Sequence, residues 1–239
     1  MIRFSHAGCA LLAALICMTP VSGVTFDLDS AQNGQKISGM ELSPLVSISS
    51  GGPNLGATIF DTDPTGPNMN ADDQDLLVDI GNILILQTVN RPEDFGGSDF
   101  FELPDDEPNG GSITFDYAQP VSILSIDLVD IDVSTAVEVL LTDTAGLTRT
   151  YSVPSDWTGE IPGAPGVGTL DLTILSDQVG FASTATAMQD LGFSASSVAQ
   201  MSVMLAGSGG ITNIVSIPEP ASLSMFVLGA VALAFGRRR

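Results

Sequence analysis

The stretch FDTDPTGPNMNADDQDLL, residues 60–77, holds the densest set of oxygen ligands in the chain: Asp61, Asp63, Thr65, Asn68, Asn70, Asp72, Asp73 and Asp75. Hard divalent cations such as Ca²⁺ take about six to eight oxygens in flexible geometry, so this stretch is the candidate metal site. Asp61, Asp63 and Thr65 occupy alternate ligand positions of a calcium loop, and Gly66 stands at its sharp turn. The match then weakens: Pro64 and Pro67 are unusual there, Asp72 stands where a bidentate Glu is expected, and no helical pattern flanks the loop. The competing expectation is a solvated acidic loop between two strands. A second acidic knot, Asp105, Asp106 and Glu107, precedes an Asn109-Gly110-Gly111 turn, with Arg91 as a candidate to relieve its repulsion.

Other chemistry is narrowed by the N-terminus. MIRFSHAGCALLAALICMTPVSG carries one early cation, Arg3, an apolar run from about Ala7 to Met18, and small residues at Ser22 and Gly23. That is the layout of a secretory signal peptide, residues 1–23, cleaved after Gly23. The only histidine, His6, and both cysteines, Cys9 and Cys17, lie within it. The exported body therefore lacks imidazole and thiol, which excludes nucleophilic triads, zinc hydrolysis and disulfides. Two carboxylates could still hydrolyse a glycoside. The near absence of Trp and Tyr argues against a sugar-gripping cleft, so the body is expected to be non-enzymatic, with a glycosidase as a remote alternative.

Residues 24–216 contain 27 of the 28 acidic residues and only three cations, Lys36, Arg91 and Arg149, for a formal charge of −24. Such a surface repels phosphate backbones, and nucleic-acid binding is not expected. It attracts divalent cations.

Along this body, apolar residues recur with period two or in short runs, and Gly, Pro, Asn and Asp clusters separate them about every ten residues. The pattern predicts an all-β fold, a single jelly-roll-like β-sandwich domain over 24–216 with long loops. Candidate strands are Val24–Asp29, Leu45–Ser49, Ala57–Phe60, Ile83–Gln87, Ser112–Tyr117, Ser122–Asp127, Ala136–Thr142, Leu147–Val153, Thr169–Ile174, Met201–Ala206 and Ile211–Val215. Ser194–Gln200 is read as a turn or two of helix. Val137 to Val153 reads as a hairpin about Asp143-Thr144-Ala145-Gly146, a turn rather than a protease loop. In the Pro/Gly-rich loop 154–168, Trp157 could stack on a sugar ring, which gives the alternative of a carbohydrate-binding module for exopolysaccharide. A lone aromatic more often plugs the edge of a core.

The chain ends IPEPASLSMFVLGAVALAFGRRR. Ala221–Gly236 is 16 residues, a helix of about 24 Å at a rise of ~1.5 Å per residue. That is short of the ~20 residues that usually cross a bilayer. Arg237–Arg239 would hold its end on the cytoplasmic side. The order Pro218-Glu219-Pro220, short apolar helix, Arg237, Arg238, Arg239 resembles the PEP-CTERM sorting signal of exopolysaccharide-producing Gram-negative bacteria, with Ile217 where valine is usual. The resemblance covers residues 217–239. It implies a partner, the membrane transpeptidase called exosortase, a transient hold at the inner membrane during export, and delivery to the cell surface or extracellular matrix. DDEPNGGSITFDY, IFDTDPTG and VMLAGSGGITNI also resemble the bodies of exosortase-dependent surface proteins, a likeness that implies no activity. The expected function is a non-enzymatic exported surface or matrix protein, with Ca²⁺ bound at Asp61–Asp75 as its one candidate cofactor.

Overall fold

The computed structural model describes residues 24–70, 74–90, 99–131, 137–153, 157–158, 166–173, 178–179, 184–188 and 192–218. The expected leader, Asp72, Asp73, Arg91, and the tail from Glu219 onward with Pro220 and Arg237–Arg239 lie outside them.

Five strands, β1 (Val24–Thr25), β2 (Lys36–Ile37), β3 (Val46–Gly51), β4 (Ala57–Asp61) and β5 (Asn82–Leu86), precede the long β6 (Gly111–Val129). After it come β7 (Val137–Asp143), β8 (Thr148–Val153), β9 (Val167–Asp171), β10 (Gln178–Val179), β11 (Thr184–Met188), β12 (Val198–Leu205) and β13 (Gly210–Pro218). A single 3-10 turn, Gln74–Leu76, is the one helical element among the described residues. All pairings are antiparallel, and they link the strands into one continuous sheet.

The all-β class follows from the alternation seen in the sequence. In β7 and β8 the inward residues Val137, Val139, Leu141 face Val153, Tyr151 and Arg149 across the ladder, as period two requires. β5 is different: Ile83 to Leu86 are all buried, because both of its faces are covered. Leu84 and Leu86 join the main core, and Ile83 and Ile85 pack with Phe60, Leu76 and Val129 in a smaller cluster. A strand buried on both sides reads as an uninterrupted apolar run.

The expected pair of separate sandwich sheets is joined through β6. Its first half pairs with β3 and β12, and its second half with β9 and β13. Side chains from both sets of strands, including Ile48, Phe115, Leu128 and Ile211, share one core, so the arrangement is sandwich-like although the hydrogen-bonded network is unbroken. Residues 118–120 lie opposite none of the paired residues of these neighbours. Pro120 sits there, where no ladder bond needs its missing N–H. The two expected strands Ser112–Tyr117 and Ser122–Asp127 are thus one.

The expected helical turns at Ser194–Gln200 are replaced by a loop entering β12. Val198 and Gln200 pair with both β6 and β7. One turn remains, with the Ser197 N–H donating to the Ser194 carbonyl at 3.1 Å, while Asp143 accepts the Ser194 N–H and the Ser197 carbonyl accepts the Thr144 N–H, which ties this turn to the β7–β8 turn. Val24–Asp29 pairs as a strand only over its first two residues.

Candidate functional site

The Asp61–Asp75 loop leaves the end of β4 and is held by amides from another part of the chain. Asn33 Oδ1 accepts the Asp61 N–H at 3.0 Å and Asn68 Nδ2 at 2.8 Å, while Asn33 Nδ2 donates to Asn68 Oδ1 at 2.9 Å. Asn68 is buried and also donates to the Asp61 carbonyl. Asp61 Oδ1 accepts the Asp63 N–H at 3.0 Å, and Asp63 Oδ1 accepts both the N–H and the hydroxyl of Thr65, at 2.7 and 2.8 Å. The Thr65 bonds hold the Asp63 carboxyl below its ordinary value. The loop is therefore a run of Asx turns of the kind that aspartate favours. Asn70 is exposed. Among the described residues, no three His, Cys, Asp or Glu side chains gather in a metal-binding arrangement.

The second acidic knot faces inward. Asp106 and Glu107 are both buried. Asp106 Oδ2 accepts the Gly209 N–H at 2.6 Å. Glu107 Oε2 accepts the Val89 N–H at 3.0 Å, and Oε1 accepts the N–H and side-chain amide of Asn109 at 3.0 and 2.7 Å. Burial alone would raise the Glu107 carboxyl, but the bonds from Val89, Asn109 and Thr88 outweigh it and the net direction is downward. These acids pin loops to the sheet, a use that the sequence pattern did not reveal.

Asp143 does the same at the hairpin turn. Its Oδ1 accepts the N–H groups of Ala145 and Leu147, and its Oδ2 that of Ser194, each at 2.9 Å. The Ser194 bond is the main cause of a carboxyl held below its ordinary 3.8. A folded value below the unfolded one means stability present above about pH 4 and lost as the pH falls through the folded value. Asp143→Asn cannot accept at all three positions, so its melting temperature is expected to fall by several degrees at neutral pH. The gap between the two proteins should narrow as the pH falls through the folded value of Asp143, and a gap unchanged by pH would show that the charge is not what matters.

Trp157 is 1% exposed and belongs to the main core. Its ring lies on Gly168 of β9, where an added Cβ would stand 2.5 Å from Cζ3, so this strand must carry glycine at that position. Its indole N–H is buried without a partner among the described residues. The ring plugs the core.

A half-open groove of about 410 Å³ was not anticipated. It lies between the segment after β1 and strands β5, β6, β9 and β13, and brings together Asp27, Asp29 and Asp127 with Phe26, Asn82 and Asn213. Its polar groups largely hold the protein together. Asp29 Oδ1 accepts the Asn82 N–H at 2.8 Å, Asn82 Nδ2 donates to the carbonyls of Leu28 and Ala31, and Asn213 Nδ2 donates to Asp127 Oδ2 at 2.7 Å. The acidic loops named from the sequence do not line it.

The C-terminal end of the described chain is part of the sheet. β13 pairs with β6 through Ser216↔Ile123, Ile217↔Ser122 and Pro218↔Val121. On its other side, Ser216 and Val215 pair with Val24 and Thr25 of β1. Pro218, first residue of the Pro-Glu-Pro triplet, thus ends a core strand, two residues beyond the expected domain boundary, with no linker before the motif.

A comparison with curated proteins finds no match to the chain. A family model described as the PEP-CTERM protein-sorting motif matches residues 216–239, beginning one residue before the segment expected from the sequence. The triplet that begins at the last residue of β13, with the apolar run and arginines after it, is therefore an exosortase-dependent sorting signal of an exported protein.

Proposed function

We propose that the body is a non-enzymatic structural component of the cell surface or extracellular matrix, delivered there by its C-terminal sorting signal. The observation that carries this reading is the match of residues 216–239 to the sorting motif, joined directly to a rigid sheet. Supporting it, Asp106, Glu107 and Asp143 each accept backbone N–H bonds and act as loop staples. The test is fractionation of cells that express the full chain against cells that express a chain ended at Pro218, comparing the share of protein that reaches the surface. A carbohydrate-binding role through Trp157 is not favoured, since its ring is enclosed.

Calcium is the cofactor in this reading, held by Asp61, Asp63 and Asp72. Asn68 serves as the loop's anchor to Asn33 and not as a ligand. Chelator-treated protein is expected to gain about 2.7 kcal/mol of stability when calcium is present at a hundredfold excess over its dissociation constant. Equal magnesium should produce no such gain, and Asp61→Ala should abolish it. Equal melting in the two ions would remove calcium from the proposal.

A further inference from the structure

We propose that β1 is a clasp beside the sorting signal: while it is paired, the Ile214–Ser216 edge of the strand that ends at Pro218 is covered, and its opening bares that edge. The inference rests on the sorting reading above and adds the control of access to that signal.

Proteins that take up a peptide backbone commonly do so by adding it to a strand or adding a strand to it, which needs unpaired N–H and C=O groups. From Val215 to Pro218, one side of β13 is occupied by β6. On the other side β1 covers Val215 and Ser216, through Val24↔Ser216 and Thr25↔Val215, and the Phe26 N–H donates to the Ile214 carbonyl at 3.1 Å. Phe26 fastens this short strand to the body. Its ring meets Phe115 edge-on, with centroids 6.0 Å apart and an interplanar angle of 83°.

β6 is a central strand of the sheet, with partners on both sides, and opening it would break much of the fold. β1 has two ladder pairs and one aromatic anchor, so it is the side that opens at least cost. Release of residues 24–26 would bare the Ile214–Ser216 edge while leaving the β6 pairing in place. The register adds a reason for this position. Because β1 and β13 are antiparallel and Val24 faces Ser216, the chain before Val24 and the chain after Pro218 join the sheet at the same end. The clasp begins at the first residue expected after leader cleavage, so it is made from the residues which that cleavage frees.

Two variants of the full chain test this. Phe26→Ala is expected to speed amide exchange at Ser216, whose N–H faces β1, about tenfold relative to wild type while leaving the β7–β8 hairpin unchanged. Because losing Phe26 could loosen the whole core, the second variant closes the clasp instead. Thr25 and Val215 are directly opposite, and cross-strand Cα spacings of about 4.5–5.5 Å fall in the range a disulfide spans. Both native cysteines precede Val24, so Thr25→Cys with Val215→Cys makes the one bridge available to leader-free protein.

When oxidised, this variant is expected to slow both exchange at Ser216 and the cell's handling of the tail about tenfold, with reductant restoring both. Wild-type exchange in the bridged protein would overturn the clasp. So would slowed exchange with tail handling at the wild-type rate. The chain ended at Pro218 separates the two readings. If it still reaches the surface normally, the sorting reading fails, while amide exchange continues to judge the clasp.

Discussion

A chain ended at Pro218 is expected to lose nearly all surface display while remaining folded, with its product retained in the compartment on the near side of the sorting step. The position of the cut matters. Ending the chain at Val215 would delete the pairs that Ser216, Ile217 and Pro218 make with β6, so misrouting would be mixed with misfolding. Cutting after Pro218 keeps every described pair of β13 and removes Glu219, Pro220, the apolar segment Ala221–Gly236 and Arg237–Arg239. Were that segment helical, as the sequence leads one to expect, it would span about 24 Å, shorter than most bilayer cores, which suits a temporary hold better than a permanent anchor. The shortened protein should melt at the same temperature as the full chain and keep its β-sheet circular dichroism. Undiminished display of a folded chain ended at Pro218 would refute the sorting role assigned to the tail.

The largest expected loss of stability from a single side chain is at Trp157. Removing a buried Trp to Ala typically costs about 3–5 kcal/mol, and for a domain of this size that lowers the melting temperature by roughly 10 °C. The residue is enclosed, it belongs to the main cluster, and its ring covers Gly168 so closely that no other residue could stand beneath it. The measurement also decides between two roles. A large fall in melting temperature with retention on isolated exopolysaccharide altered only through unfolding assigns the ring to the core. Wild-type melting with lost retention would make it a ligand surface, against its burial.

The acidic residues teach a related lesson about charge. A body at −24 invites a search for bound cations, yet Asp63, Glu107 and Asp143 are held below their ordinary values by hydrogen bonds from the chain itself. In each, the ionised form is the one the fold bonds to, so acid removes these staples while it relieves repulsion elsewhere. The Asp143→Asn comparison isolates the first effect from the second, because the net charge of the rest of the body is common to both proteins.

Much of this was legible in the residues taken in order. Period-two alternation marks β7, β8 and β12 because one face of each is buried, and the Asp-Thr-Ala-Gly turn follows from local backbone chemistry, with Gly146 at a φ of 80°. The sorting tail was legible for the same reason: its signal is a linear order of residue types, and no folding is needed to read it. Strands β2 and β10 were missed because a two-residue strand has no period, and β11 because Thr-Ala-Thr-Ala alternates with little apolar contrast; at Ser194–Gln200 one turn forms and the chain then becomes strand from Val198, because distant β6 and β7 supply its partners.

What only the tertiary structure decided are the relations between residues far apart in the chain. Asn68 became an anchor of its loop through Asn33, 35 residues away. Asp106 became a staple for Gly209, 103 residues away. Two predicted strands became one β6 because partners on both sides of Pro120 draw on the same backbone. The first strand after the leader came to lie against the strand that ends in the sorting motif. The physical reason is the same in each case. Residue type limits which bonds a group can make, but burial makes those bonds obligatory, and the partner is whichever group the folded chain brings within reach.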